Sequence, residues 1–167
     1  MPHRSSSRPN SNSNTSTAVI PVTARKRFFD QIIRHNRKVL PAEYQRFTNS
    51  GSFNLMKVWF DYQRVHYEVV IDQQISRLEI GLHFEDGPAS TMAYLAILDS
   101  RILEIKERLG HQAELERWTQ SWGRIYELHP LGDLTDGVSS MCAERLAAYI
   151  SVLQPIIETS GVRHERE

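Results

Sequence analysis

The sequence predicts an α+β domain in which helices pack on one face of a five-stranded, largely antiparallel sheet. Two observations carry this prediction. Three segments alternate apolar and polar residues with the period of a strand, and three others repeat apolar residues with the period of a helix. The predicted element order is α-β-β-β-α-β-β-α. Helices on one face of such a sheet form a two-layer fold, because each element then buries its apolar side.

The 167 residues suit one domain with a tail. We predict a disordered tail over residues 1–22, a single domain over residues 23–160 and a frayed C-terminus over residues 161–167. The tail is rich in Ser, Asn and Arg and nearly free of apolar residues before Ala18. Such a segment buries too little surface to offset the entropy of ordering. Because it also lacks acidic residues, an organelle transit peptide is an alternative.

Apolar repeats at i, i+3 and i+4 predict three helices. They cover residues 23–40, residues 88–109 and a stretch that starts near residue 136. Pro41 ends the first helix and Gly110 stops the second. Pro155 ends or kinks the third.

The strands are predicted over residues 56–62, 65–71 and 78–84, followed by a second hairpin over residues 113–118 and 122–129. The short connections indicate an antiparallel meander with one buried face. A two-residue turn at Gln63-Arg64 would place Phe60 opposite Tyr67 and Val58 opposite Val69.

Charge is unevenly distributed along a chain of zero net charge. Residues 1–46 carry nine Lys/Arg and two Asp/Glu, whereas residues 47–167 carry eleven and eighteen. The basic segment predicts either a nucleic-acid surface or docking on an acidic body in the same or a second chain. The basic residues of the first helix are Arg25, Lys26, Arg27, Arg34, Arg37 and Lys38.

The outward face of the first three strands carries a mixture of residues. Leu55, Trp59 and Val70 form an apolar patch there, which predicts a homodimer or a contact with another protein. His66 is expected near His83 on the same polar face, together with Glu68, Glu79 and Glu85. This set is typical of a solvated sheet face and, as an alternative, of a zinc or manganese site. We expect no metal and no cofactor.

No recognised catalytic motif is present. The chain lacks a phosphate loop, a G-x-G-x-x-G fingerprint and a nucleophile elbow. Its single cysteine, Cys142, excludes an internal disulfide and is expected to be a small buried hydrophobe. One cysteine fits a reducing compartment, and a cytoplasmic location is expected. The apolar runs are too short to span a membrane.

The order helix, three-stranded meander, helix, strand resembles the PD-(D/E)XK nuclease superfamily, with Asp72 and the Glu79-Ile80-Gly81 segment at the matching positions. This resemblance implies that Asp72 and Glu79 hold a divalent metal at a phosphate. Gly81 stands where that family has lysine, so the implied protein is a degenerate nuclease.

The segments HYEVVID, RLEIGLHFED, ILEIKERLG, ELERW and RIYELHP, within residues 66–157, resemble an uncharacterised bacterial domain often found C-terminal to nuclease-like domains. That resemblance implies an accessory module linked to restriction or defence systems. The element order over residues 23–157 also resembles the type III secretion chaperone and YbjN-like fold, whose members are small dimers that bind segments of other proteins.

The sequence therefore predicts a non-enzymatic protein-interaction or accessory module. Its expected partner is a second copy or another protein, and no membrane is expected. Nucleic-acid binding through the basic first helix is the first alternative, and a degenerate nuclease is the second.

Overall fold

The computed structural model describes residues 19–164. Residues 1–18 of the tail predicted over residues 1–22, and the last three residues, 165–167, lie outside the described residues. The elements, in chain order, are α1 (Val22–Val39), a short 3-10 turn (Ala42–Tyr44), β1 (Thr48–Gly51), β2 (Leu55–Trp59), β3 (Val65–Asp72), β4 (Arg77–Phe84), α2 (Pro88–Ser100), α3 (Ile102–Leu109), β5 (Glu114–Arg117), β6 (Gly123–Pro130) and α4 (Asp136–Glu158).

The described chain is an α+β fold with four α-helices and one antiparallel sheet, as the sequence predicts in outline. The sheet has six strands in the order β1-β2-β3-β4-β6-β5 rather than the five expected. No helix in residues 19–164 is long and apolar enough to cross a membrane.

The additional strand is β1, which pairs antiparallel with β2 at the edge of the sheet. Its sequence is Thr-Asn-Ser-Gly and all four residues are exposed. The backbone hydrogen bonds to β2 therefore hold it in place, with no buried side chain to produce an alternating pattern. For this reason the five-strand prediction was wrong by one strand.

The predicted second helix is two helices, α2 and α3, which meet at Arg101. Arg101 leaves helical geometry with φ −116° and ψ 12°. The preceding Ser100 donates its hydroxyl to the Ile97 carbonyl oxygen at 2.7 Å, a local bond that competes with continued helix. At the other end of the chain, α4 continues through Pro155 to Glu158 instead of ending there.

The β2–β3 register differs from the prediction by two residues. Val58 lies opposite Tyr67 and Met56 opposite Val69, because β2 ends at Trp59 and the connection to β3 is longer than two residues. A shift of two residues leaves each side chain on its predicted face. The predicted faces of β2 and β3 are therefore right although the predicted pairing was wrong.

The helices pack on one face of the sheet, as predicted. The inward side chains of the central strands are almost fully buried, and Val58, Val69, Ile80 and Leu82 are 0% exposed. Helix α4 lies across β3 and β4 and packs against α1 and α3, while α2 lies near β5 and β6. In residues 19–164 the opposite face of the sheet has no helix over it, and we call it the open face.

Residues 161–164 continue past the predicted domain boundary and pack on the body. Val162 contacts the core. His164 lies 3.2 Å from a carboxylate oxygen of Asp86 and stacks on Tyr62 with 4.0 Å between ring centroids.

Candidate functional site on the open face of the sheet

The centre of the open face is a buried polar group on β3 and β4. Alternation along β3 places His66 and Glu68 on this face, and the antiparallel register sets His66 opposite His83. The two imidazole rings stack with centroids 5.9 Å apart. The predicted proximity of His66 to His83 is confirmed.

His66, Glu68 and His83 form what we call the His–Glu–His cluster. Glu68 Oε2 lies 3.2 Å from His66 Nε2, and Glu68 Oε1 lies 3.2 Å from His83 Nε2. The three residues are 0%, 6% and 2% exposed. Within residues 19–164 this is the one group of three or more His, Cys, Asp or Glu side chains with donor atoms close enough for a shared metal ion.

The orientation of His66 is fixed by the backbone. Its Nδ1 lies 2.9 Å from the carbonyl oxygen of Gln63. A carbonyl oxygen only accepts, so Nδ1 carries the hydrogen of that bond. Nε2, on the opposite side of the ring, therefore faces the Glu68 carboxylate.

Charged side chains surround the cluster in a connected network. Arg124 of β6 donates to Glu79 at 2.8 Å and to Glu116 at 2.7 Å. Lys57 of β2 lies 3.8 Å from Glu68 and 3.7 Å from Glu85. The network has four carboxylates and two cations, so with neutral histidines it carries two excess negative charges.

The Glu68 carboxylate is ionised in this setting. Burial alone would raise its pKa, but the hydrogen bond with His66 and the charges of His83, His66 and Lys57 hold the pKa below its ordinary value. A buried anion is therefore present at the centre of the open face at neutral pH.

Gly81 allows β6 to approach β4 beside the cluster. It lies between Glu68 on β3 and Tyr126 on β6. A Cβ at position 81 would lie 2.5 Å from the Ile125 carbonyl oxygen and 2.6 Å from Tyr126 Cβ. A side chain such as the lysine of the nuclease pattern has no room here unless the β6 backbone moves.

The predicted apolar patch lies in part along one row across the open face. Leu55 pairs with Val70, Val70 pairs with Glu79, and Glu79 pairs with Leu128. Leu55, Trp59 and Val70 are half-buried, while Leu128 is 45% exposed. The sequence did not assign Leu128 to this face because the buried side of β6 was ambiguous.

Two exposed tryptophans lie at one end of the same face. Trp118 meets the His83 ring edge-on at 6.3 Å, and Arg124 lies 4.7 Å above the Trp118 ring. Trp122 contacts Trp118 at 5.9 Å. Both indoles are rim aromatics, 51% and 42% exposed.

The basic surface on α1 is smaller than predicted. Arg25 is 7% exposed and its guanidinium donates to Asn54 Oδ1. Position 25 precedes Phe28, Phe29 and Ile32 at helical spacing, so it belongs to the buried side of α1. The exposed members of the predicted set are Lys26, Arg27, Arg34, Arg37 and Lys38.

Asp72 and Glu79, matched above to a nuclease pattern, take part in separate interactions. Asp72 Oδ1 accepts backbone N–H groups of Gln74 and Ile75 at 2.9 and 3.3 Å, which holds the β3–β4 turn. Glu79 lies 2.9 Å from His83 Nε2 and pairs with Arg124.

A second buried carboxylate, on the helix side of β6, was missed by sequence reasoning. Glu127 contacts Arg145 of α4 at 2.6 Å and His129 at 2.7 Å, and its side chain is 0% exposed. Burial would raise its pKa, but Arg145 and His129 lower it to about 2. The feature of the sequence that could have identified Glu127 as buried is the alternation of β6, which puts Glu127 on the same side as Ile125.

Comparison of the chain with protein-family models, curated proteins and solved structures gives no significant match. The resemblances of residues 66–157 and of residues 23–157 therefore stay predictions.

Proposed function

We propose that the protein is a non-enzymatic protein-interaction module that forms a homodimer through the open face of its sheet. The observation that carries this proposal is the apolar row of Leu55, Val70 and Leu128 on a sheet face that no described helix covers, with Trp59 four residues from Leu55 on the same face of β2. Apolar patches rimmed by polar residues commonly mark contacts between proteins.

The size of the face suits a dimer interface. Strands lie about 4.8 Å apart and rise about 3.3 Å per residue, and the six strands are four to eight residues long. The flat area is then about 600 Å², and a standard interface buries about 800 Å² per partner. Side-chain relief adds to the flat area, so one sheet face is of the right order.

The zero net charge of the chain is compatible with a second copy as the partner. The chain carries no net charge, so two copies do not repel each other as wholes. In a two-fold arrangement the same surface meets itself, which places one apolar row against the other. Glu79, which interrupts the row, is already paired with Arg124.

The test is the solution mass by light scattering at low and high salt, with two variants of the face. Trp59→Asp and Leu128→Asp should shift a wild-type dimer to monomer while circular dichroism stays native. Leu103→Asp is the matched control, because Leu103 is 84% exposed on α3. A wild-type monomer, or a dimer that survives both open-face substitutions, would contradict the proposal.

Nucleic-acid binding through α1 is a second candidate function. Lys26, Arg27 and Arg34 line an open groove that also includes Asn49 of β1. Binding to phosphate backbones releases counterions, so affinity should fall steeply with salt. Duplex DNA titrated at about 50 mM salt should bind, and Arg27→Glu with Arg34→Glu should abolish binding. Absence of wild-type binding under these conditions would rule the candidate out.

The accessory role near restriction or defence systems, and the degenerate nuclease, rest on resemblance and stay predictions. The site assigns neither a substrate nor a reaction to them.

A further inference from the structure

The His–Glu–His cluster has the composition and spacing of a metal site. We propose that His66 Nε2, Glu68 and His83 Nε2 bind one Zn²⁺ ion per chain between β3 and β4. The inference goes beyond self-association, since all three ligands belong to one chain and the ion would lie beneath the surface of the open face.

The hydrogen-bond count favours a cation among these atoms. His66 uses its Nδ1 hydrogen on Gln63, so a cation must lie between Nε2 and Glu68 Oε2, either the second proton of a charged imidazole or a metal ion bound by the Nε2 lone pair. His83 Nε2 lies within 3.2 Å of Glu68 and 2.9 Å of Glu79, yet a single N–H can point at only one of them. A metal ion accepts all of these lone pairs at once.

The distances suit zinc. Zn²⁺ binds imidazole nitrogen at about 2.0–2.1 Å and carboxylate oxygen at about 2.0–2.2 Å, so two donors around a tetrahedral ion lie roughly 3.4 Å apart. The two histidine-to-glutamate distances are both 3.2 Å. The donor atoms of the three residues all lie within 4.8 Å of one another, so side-chain movement of about 1 Å would place an ion between them.

The surrounding contacts are those of an oriented ligand set. Metal-binding histidines usually donate the other ring N–H to a carbonyl or carboxylate, as His66 does to Gln63. The network's excess of two carboxylates over cations equals the charge of a divalent ion. Buried charge needs such compensation.

The choice of metal follows from the donors. Two imidazole nitrogens and one carboxylate favour zinc and its neighbours over Mg²⁺ and Ca²⁺, which prefer oxygen-only ligands. Glu79, adjacent to His83, or a water molecule would supply a fourth donor. Because the three ligands are at most 6% exposed, the ion would act by joining β3 to β4.

The first measurement is metal uptake by tag-free full-length protein, stripped with a chelator and dialysed against Zn²⁺ with excess Mg²⁺. Wild type should hold one zinc per chain by elemental analysis. Glu68→Gln and His66→Gln should each lower the affinity by at least about 100-fold. His111→Gln is the matched control, since His111 is exposed and outside the cluster, and it should bind as wild type does.

A second readout separates a true site from surface binding and from misfolded variants. Co²⁺ bound in place of zinc should give the visible absorption of a low-coordinate nitrogen and oxygen site in wild type and in His111→Gln, but not in Glu68→Gln. Zinc should raise the melting temperature of wild type and of His111→Gln. It should not raise the melting temperature of the folded Glu68→Gln and His66→Gln variants. No uptake by wild type, or equal uptake by all variants, would overturn the proposal.

Discussion

Glu127 of β6 and Arg145 of α4 form a two-point ion pair across the boundary between the sheet and the helices. Arg145 Nε donates to one carboxylate oxygen at 2.7 Å and Nη2 to the other at 2.6 Å. The same Nη2 also lies 2.6 Å from the Leu109 carbonyl oxygen at the end of α3. One guanidinium thus connects β6, α3 and α4.

Replacing Glu127 should destabilise the fold strongly. Glu127→Gln removes the anion while Arg145 stays partly buried, and breaking such a pair costs about 3 kcal/mol in the free energy of unfolding. Urea denaturation measures this loss. Glu104→Gln is the control, because Glu104 pairs with Arg101 at the surface, and it should change the free energy by less than about 1 kcal/mol. Equal effects of the two substitutions would contradict this reading of Glu127.

The contribution of Glu127 should depend on pH. Its pKa in the folded state is about 2, below the ordinary value of 4.5. The stabilisation is therefore complete above about pH 5 and is lost as the pH falls through 4.5 towards 2. The difference in unfolding free energy between wild type and Glu127→Gln should shrink between pH 7 and pH 3. A difference that stays constant over this range would show that the charge is not its source.

A methyl group at position 81 should be poorly tolerated. In Gly81→Ala the new Cβ would meet backbone and Cβ atoms of β6 at 2.5–2.8 Å, and we expect a loss of about 2 kcal/mol. Gly132→Ala serves as the control, since nothing lies within 4 Å of its added Cβ. Thermal melts of both variants check the contrast, and a melting temperature of Gly81→Ala equal to that of Gly132→Ala would contradict it.

The single thiol should be unreactive in the native state. Cys142 is 0% exposed, and burial, with the nearby Glu127 charge, raises its pKa to about 12. Only the thiolate attacks disulfide reagents. The native protein should react far more slowly than the urea-unfolded chain at the same pH. Fast labelling without denaturant would place Cys142 at an accessible surface.

Sequence reasoning recovered the features that depend on periodicity. Alternation assigned Val58, Tyr67 and Val69 to the core, and this assignment survived a register error because a shift of two residues preserves the face. Prediction from periodicity failed for β1, where no side chain is buried, and at Arg101, where one turn interrupts a helix.

Strand periodicity predicted the positions of the residues in the candidate site but not their burial. Neighbouring strands brought His66 beside His83 in the predicted sheet, as in the structure. Their burial was not predictable, because it comes from long side chains of other strands, Arg124 and Lys57, and from the Trp118 loop. Such cover depends on tertiary packing that local patterns do not encode.

The two edge strands of the sheet, β1 and β5, are each only four residues long. Short edge strands offer few free backbone groups to an incoming strand, so edge-to-edge growth of the sheet into fibres is disfavoured. An interface formed face to face is complete after two copies, whereas an edge that pairs with further strands can add copies without limit. The short edge strands thus disfavour open-ended growth of the sheet.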